Sequence, residues 1–108
     1  KEKIIKAKDI DSVVTGRSTG HPVRILKNPL AREFMKLEKA GAPPEDLEAL
    51  GSGCLQKAAC EGDMKGGSFM AGQIAGLCAQ EQSCAEIIHE LYEGARELFR
   101  QKAKELGE

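Results

Sequence analysis

Two stretches of the chain hold the residues whose types and spacing can do chemistry. The first is Gly66-Gly67-Ser68-Phe69-Met70-Ala71-Gly72-Gln73-Ile74-Ala75-Gly76-Leu77, a glycine pair followed by small and apolar side chains. Its spacing predicts a helix capped by Ser68, with its first free backbone N–H groups turned toward a ligand. On that helix Ala71, Gly72, Ala75 and Gly76 form a nearly bare face, and Met70, Ile74 and Leu77 form an apolar one. A glycine inside a helix costs ~1 kcal/mol relative to alanine. Gly72 and Gly76 therefore imply a close approach that a methyl group would block. Tight packing against another helix and contact with a planar ring both satisfy that requirement.

The second stretch is Gly16-Arg17-Ser18-Thr19-Gly20-His21-Pro22-Val23-Arg24, which reads as a loop. Polar groups set on a loop by rigid neighbours are where charged ligands are held, and Arg17, His21 and Arg24 suit an anion. A solvated turn whose arginines pair with carboxylates accounts for the same residues. His21 has no carboxylate nearby in sequence to orient it as a general base. His89 falls beside an apolar helical stripe and reads as a boundary residue. Cys54, Cys60, Cys78 and Cys84 form two pairs with five residues between partners. That spacing matches neither a zinc site nor a redox C-x-x-C, so free thiols in a reducing compartment are expected. No G-x-S-x-G, Walker A, H-E-x-x-H or G-x-G-x-x-G pattern occurs, so neither a catalytic residue nor a metal is assigned to this segment.

The elements that must position these stretches are mostly helical. Residues 1–8 read as a short amphipathic helix, and Asp11-Ser12-Val13-Val14-Thr15 as a strand ending at Gly16. Asn28-Pro29 opens a helix carrying Leu30, Phe34 and Leu37 and stopped by Gly41. Pro44 opens another with Leu47 and Leu50, interrupted at Gly51-Ser52-Gly53 and resumed through Cys54, Leu55 and Ala58. Ser83 with Glu86 forms a capping box for a last helix, whose apolar stripe is Ile87, Ile88, Leu91, Ala95, Leu98 and Phe99. A lone strand cannot make a sheet, so an exposed edge and a partner outside these 108 residues are expected. Sixteen basic against seventeen acidic side chains leave a net charge of -1 and no general case for nucleic acid or membrane binding.

Three blocks together carry a resemblance. They are the strand with its Gly20-His21-Pro22-Val23-Arg24 and Leu26-Lys27-Asn28 continuation, then Gly62-Asp63 with Gly66-Gly67-Ser68, then Met-Ala-Gly-Gln-Ile-Ala-Gly-Leu over residues 70–77. The chain resembles the C-terminal third of the FMN-dependent enoyl-[acyl carrier protein] reductases of the FabK type, which group with the nitronate monooxygenases. The resemblance implies the α/β class: a C-terminal fragment of a TIM-barrel flavoprotein, itself mostly α-helical with one or two short strands. Residues 1–8 would end a barrel connection, 9–65 would form a small inserted helical lid, and 66–108 the closing barrel helix and a C-terminal helix.

It further implies FMN beside Ser68, Phe69, Met70, Ala71, Gly72 and Gln73, and NAD(P)H or substrate beside Arg17, His21 and Arg24. Monooxygenase relatives tend to carry arginine where His21 stands, which tilts the reading to the reductase. The implied activity is reduction of a trans-2-enoyl thioester, linked to acyl carrier protein or CoA, in cytoplasmic fatty-acid biosynthesis. The implied protein is a homodimer whose N-terminal barrel portion lies outside this chain, so the segment alone would be inactive. Nitronate oxidation by flavin and oxygen, or a helical binding module without cofactor, are the alternatives.

Overall fold

The structure is a computed structural model and describes residues 1–107. It opens with α1 (Glu2–Ile5) and a 3-10 turn (Asp9–Asp11), followed by β1 (Ser12–Thr15) and β2 (Val23–Leu26). Next come α2 (Pro29–Lys39), α3 (Pro44–Gly51) and α4 (Cys54–Gln56), the last continued by a π-helical turn (Lys57–Glu61). A 3-10 turn (Gln73–Leu77) and the long α5 (Cys84–Glu105) complete the chain.

The strand expected over residues 11–15 has its partner within the chain. β1 and β2 pair antiparallel, with Ser12 opposite Leu26 and Thr15 opposite Val23. β2 occupies positions that the sequence places at the end of a polar loop. Its β-branched Val23 and Ile25 alternate with Arg24, the period of a strand, behind a proline that ends the turn. Gly16, at φ +79°, makes the reversal possible. A Cβ on Gly16 would collide with the carbonyl oxygen of His21, whose own N–H donates to Gly16 O at 3.1 Å. Only glycine closes this loop.

The bare-faced helix expected from Ser68 onward is not formed. Residues 68–71 run extended along β2 instead: Leu26 N–H donates to Phe69 O at 2.9 Å and Ala71 N–H donates to Arg24 O at 3.2 Å, with Met70 bridged to Ile25. The physical reason lies just upstream, where Gly67 is pressed so close to Ala58 that an added Cβ would sit 2.8 Å from Ala58 Cα. Ser68 N–H is then taken by Cys54 O at 2.8 Å. The open edge of β2 supplies partners that the first turn of a helix would lack, so an extended run bonded to that edge satisfies more of this backbone. Helical geometry appears only in the five-residue 3-10 turn that follows.

The two glycines of that segment separate as well. A Cβ on Gly76 would lie 2.8 Å from Asp9 N, so its close neighbour is this chain's own backbone. Gly72 has only Ile74 Cγ2, at 3.8 Å, and otherwise open space.

α2 begins as its sequence predicts, with Asn28 Oδ1 accepting from Ala31 N–H at 2.9 Å and proline in the first turn. Asn28 also donates through Nδ2 to Gly67 O at 2.7 Å, which ties the start of α2 to the approach to residues 68–71. The interruption after α3 resolves into two helices, because Ser52 is extended (ψ 127°) and Gly53 is left-handed (φ 72°). The buried residues Ile25, Leu26, Leu30, Ala31, Leu47, Cys54 and Ala75 form the core, with Thr15 and Asn28 as its buried polar members. The core therefore sits between the hairpin, α2 and α3.

α5 is the best-capped helix and the least covered. Glu86 Oε2 accepts from Ser83 N–H at 2.7 Å, and Ser83 Oγ accepts from Glu86 N–H at 3.3 Å. The bonds to Ser83, its N–H foremost, hold the Glu86 carboxyl below its ordinary range. No residue of α5 is buried, and its stripe is bare, with Leu91 70% and Phe99 78% exposed. The projecting helix gives the molecule extents of 59 × 29 × 18 Å. Among the described residues no helix is long and apolar enough to cross a membrane.

Candidate functional site

A hollow of about 390 Å³ opens between the hairpin and the helices, a volume within the usual range of small-ligand clefts. One wall is the face of β2 carrying Val23 and Ile25; the opposite wall is Leu30 and Phe34 of α2 with Leu47 of α3. Leu55 and Met70 border a third side, and the hairpin turn brings Thr15, Thr19 and His21 to the lining. Thr19 Oγ1 is committed to Gly16 O at 3.0 Å, which stiffens the turn that presents His21. Cys54, buried in the same lining, donates its thiol to Leu50 O at 3.0 Å. Among the described residues no lysine or arginine lines the cleft, and Glu48 is the one carboxylate in its lining.

The cleft draws together residues from both chemically promising stretches. His21 from the turn meets Ser68 and Met70 from the central segment, although 47 residues separate His21 from Ser68 in sequence. Met70 is 52% exposed, so its thioether has room to move. The other members of the two sets lie elsewhere. Arg24 alternates to the other face of β2 and donates through Nη1 to Ser12 Oγ at 3.0 Å. Arg17 is exposed at the turn. Phe69 lines a second hollow with Ile4 and Ala58, which Ser68 and Met70 also border, and the Lys3 ammonium lies 5.5 Å from its ring centroid. Ala71 is half-buried, and Gln73 lines a shallow recess beside Lys8 and Asp9.

Whether these groups could cradle a flavin mononucleotide depends on free donors and a cation. Ser68 N–H and Ala71 N–H are both spent on backbone carbonyls, and no helix of full length begins at Ser68 to present others. Asp63 adds an acid beside the glycine pair: its carboxylate accepts from Gly66 and Lys65 N–H, both at 2.9 Å. Those backbone bonds keep it below the usual carboxylate range. A phosphate finds no welcome there. The glycine pair thus offers no cradle for the FMN phosphate. What residues 68–72 do offer is an extended wall with a serine hydroxyl, a flexible methionine and open space at Gly72.

The lining that α2 and α3 contribute has no chemical signature in the sequence. Phe34 and Leu47 stand there as ordinary helix-core positions, and Gly51 as a helix breaker. Gly51 lines the cleft beside Phe34, and a Cβ on it would meet Phe34 Cε2 at 3.7 Å, ordinary contact distance.

No family model matches the chain. Its fold, mostly helical with two short strands, is nevertheless that of a segment of a TIM-barrel protein. A solved structure it resembles is FabK from Thermotoga maritima, with a TM-score of 0.88 and 38% identity over 95% of this chain. The structure of the M276A mutant of FabK from the same organism agrees, at a TM-score of 0.77 and 34% identity, again over 95% of this chain. The chain is therefore a FabK-like segment. It spans about a third of FabK's length, 32% and 30% in the two comparisons.

Proposed function

We propose that this chain is part of an FMN- and NAD(P)H-dependent enoyl-[acyl carrier protein] reductase of cytoplasmic fatty-acid synthesis. The observation that carries this reading is the match to FabK over 95% of the chain at 38% identity, with the backbone superposing at a TM-score of 0.88. The convergence of His21, Ser68 and Met70 on one cleft supports it further. In such a protein the flavin and its phosphate would be held mainly by parts that this chain does not span, with residues 68–72 as a neighbouring wall. Arg17 at the exposed turn is free to meet the anionic arm of a carrier or cofactor, whereas Arg24 serves first to hold the hairpin through Ser12.

The reaction class is the saturation of a trans-2-enoyl thioester, whose β-carbon gains a hydride and whose α-carbon gains a proton. Two assays on the native protein carrying this chain separate it from the runner-up. Consumption of NAD(P)H with a crotonyl thioester under anaerobic conditions is the expected result. Oxygen uptake with an alkyl nitronate, and none of the anaerobic activity, would assign it instead to the nitronate monooxygenases.

A further inference from the structure

We propose that the cleft between β2, α2 and α3 is the acyl-chain subsite, and that Gly51 and Phe34 set the chain length it accepts. This rests on the enoyl-thioester reading above. The chemistry of the lining selects the occupant. A phosphate or nucleotide arm needs fixed cations; among the described residues no lysine or arginine faces this cleft, His21 is its one basic side chain, and Glu48 would repel a phosphate or a free carboxylate. The walls from Val23, Ile25, Leu30 and Leu47 are aliphatic, and such a space of about 390 Å³ takes an uncharged alkyl chain.

The depth is fixed where α3 ends. Gly51 lines the cleft beside the Phe34 ring, and a Cβ there would touch Phe34 Cε2 at 3.7 Å without clash. Gly51 is itself exposed, with no positive φ, so a side chain is sterically tolerated there. A larger residue at 51 thus extends into the cleft over Phe34 rather than into the core. Removing the Phe34 ring does the opposite and lengthens the space.

The test is chain-length selectivity, read as the ratio of kcat/KM for a trans-2-decenoyl thioester to that for the crotonyl thioester. In the native protein carrying this chain, Gly51→Leu should lower the ratio by about tenfold or more, the scale of a few methylenes in an apolar pocket. Phe34→Ala should raise the corresponding ratio of kcat/KM for a trans-2-dodecenoyl thioester to that for the crotonyl thioester. A folding defect lowers both rates together and leaves the ratio where it was, so the two opposite shifts are not imitated by damage to the fold. Gly94→Ala on α5, away from the cleft, should not move the ratio. Ratios unchanged in both cleft variants, in a parent that reduces crotonyl thioester, would overturn the subsite and leave the reductase reading intact. A parent inactive on every enoyl thioester would overturn both.

Discussion

The hairpin half of the molecule and α5 are built by opposite means. Around β1, β2, α2 and α3 the side chains close on one another: Leu47 is 1% exposed, Leu26 2% and Ile25 3%. α5 has the better local signals, with a full capping box and basic residues in its last turn, yet its apolar stripe lies open along its length. Local propensity makes α5 a helix, whereas tertiary burial makes the hairpin half a fold. Apolar burial stabilises a domain more than capping and helix propensity do, so the two halves should respond very differently to the same kind of substitution.

The largest contrast is expected between two leucines. Leu47→Ala in the buried half should cost about 2–5 kcal/mol in urea unfolding. Leu91→Ala on the bare stripe should stay within about 0.5 kcal/mol in the same chain. Similar losses for both would mean that α5 is covered by the chain itself. Next in size is Asn28→Ala, which removes the α2 cap and the bond to Gly67 O together and should cost about 1–3 kcal/mol. Chemical denaturation of that variant alongside Ser83→Ala, which loses only a cap, ranks the two ends.

A smaller effect divides the central segment. Gly76→Ala must push against Asp9 N and should destabilise by about 1–2 kcal/mol, while Gly72→Ala has open space and should be nearly neutral. Thermal melts of the two variants check this, and equal losses would restore a helix packed on both sides. Smallest is a pH effect on the start of α5. The Glu86 carboxyl is lowered by its bonds to Ser83, so its contribution is present above the ordinary glutamate value of ~4.3. It is lost as pH falls below that value through the depressed folded one. Far-UV circular dichroism should show α5 helicity fading on that acid side, and the fade should be absent in Glu86→Gln.

What could be read from the sequence follows the same division. Asn28-Pro29 and Ser83 with Glu86 declare their helices because caps act through neighbours three residues away. The break at residues 51–53 is equally local, set by glycines and the extended Ser52. Residues 68–71 mislead because small side chains at helical spacing say nothing about a distant strand edge, that of β2, which can accept them. β2 is hidden behind polar turn residues, and only its pairing with β1 reveals it. For the site, His21, Ser68 and Met70 are legible as residue types. The sequence does not disclose that they share one cleft, or that Arg24 turns to the other face, because both depend on the hairpin register.

Both the cleft's occupant and the role of its walls rest on carbon–carbon double bond reduction by the protein that carries this chain. Mass spectrometry of a crotonyl thioester, incubated anaerobically with that protein and NAD(P)H, measures it most directly. The predicted product is the butyryl thioester, heavier by the two added hydrogens and formed in step with oxidation of the nicotinamide. Unaltered crotonyl thioester, with the protein folded and its flavin bound, would contradict the assignment.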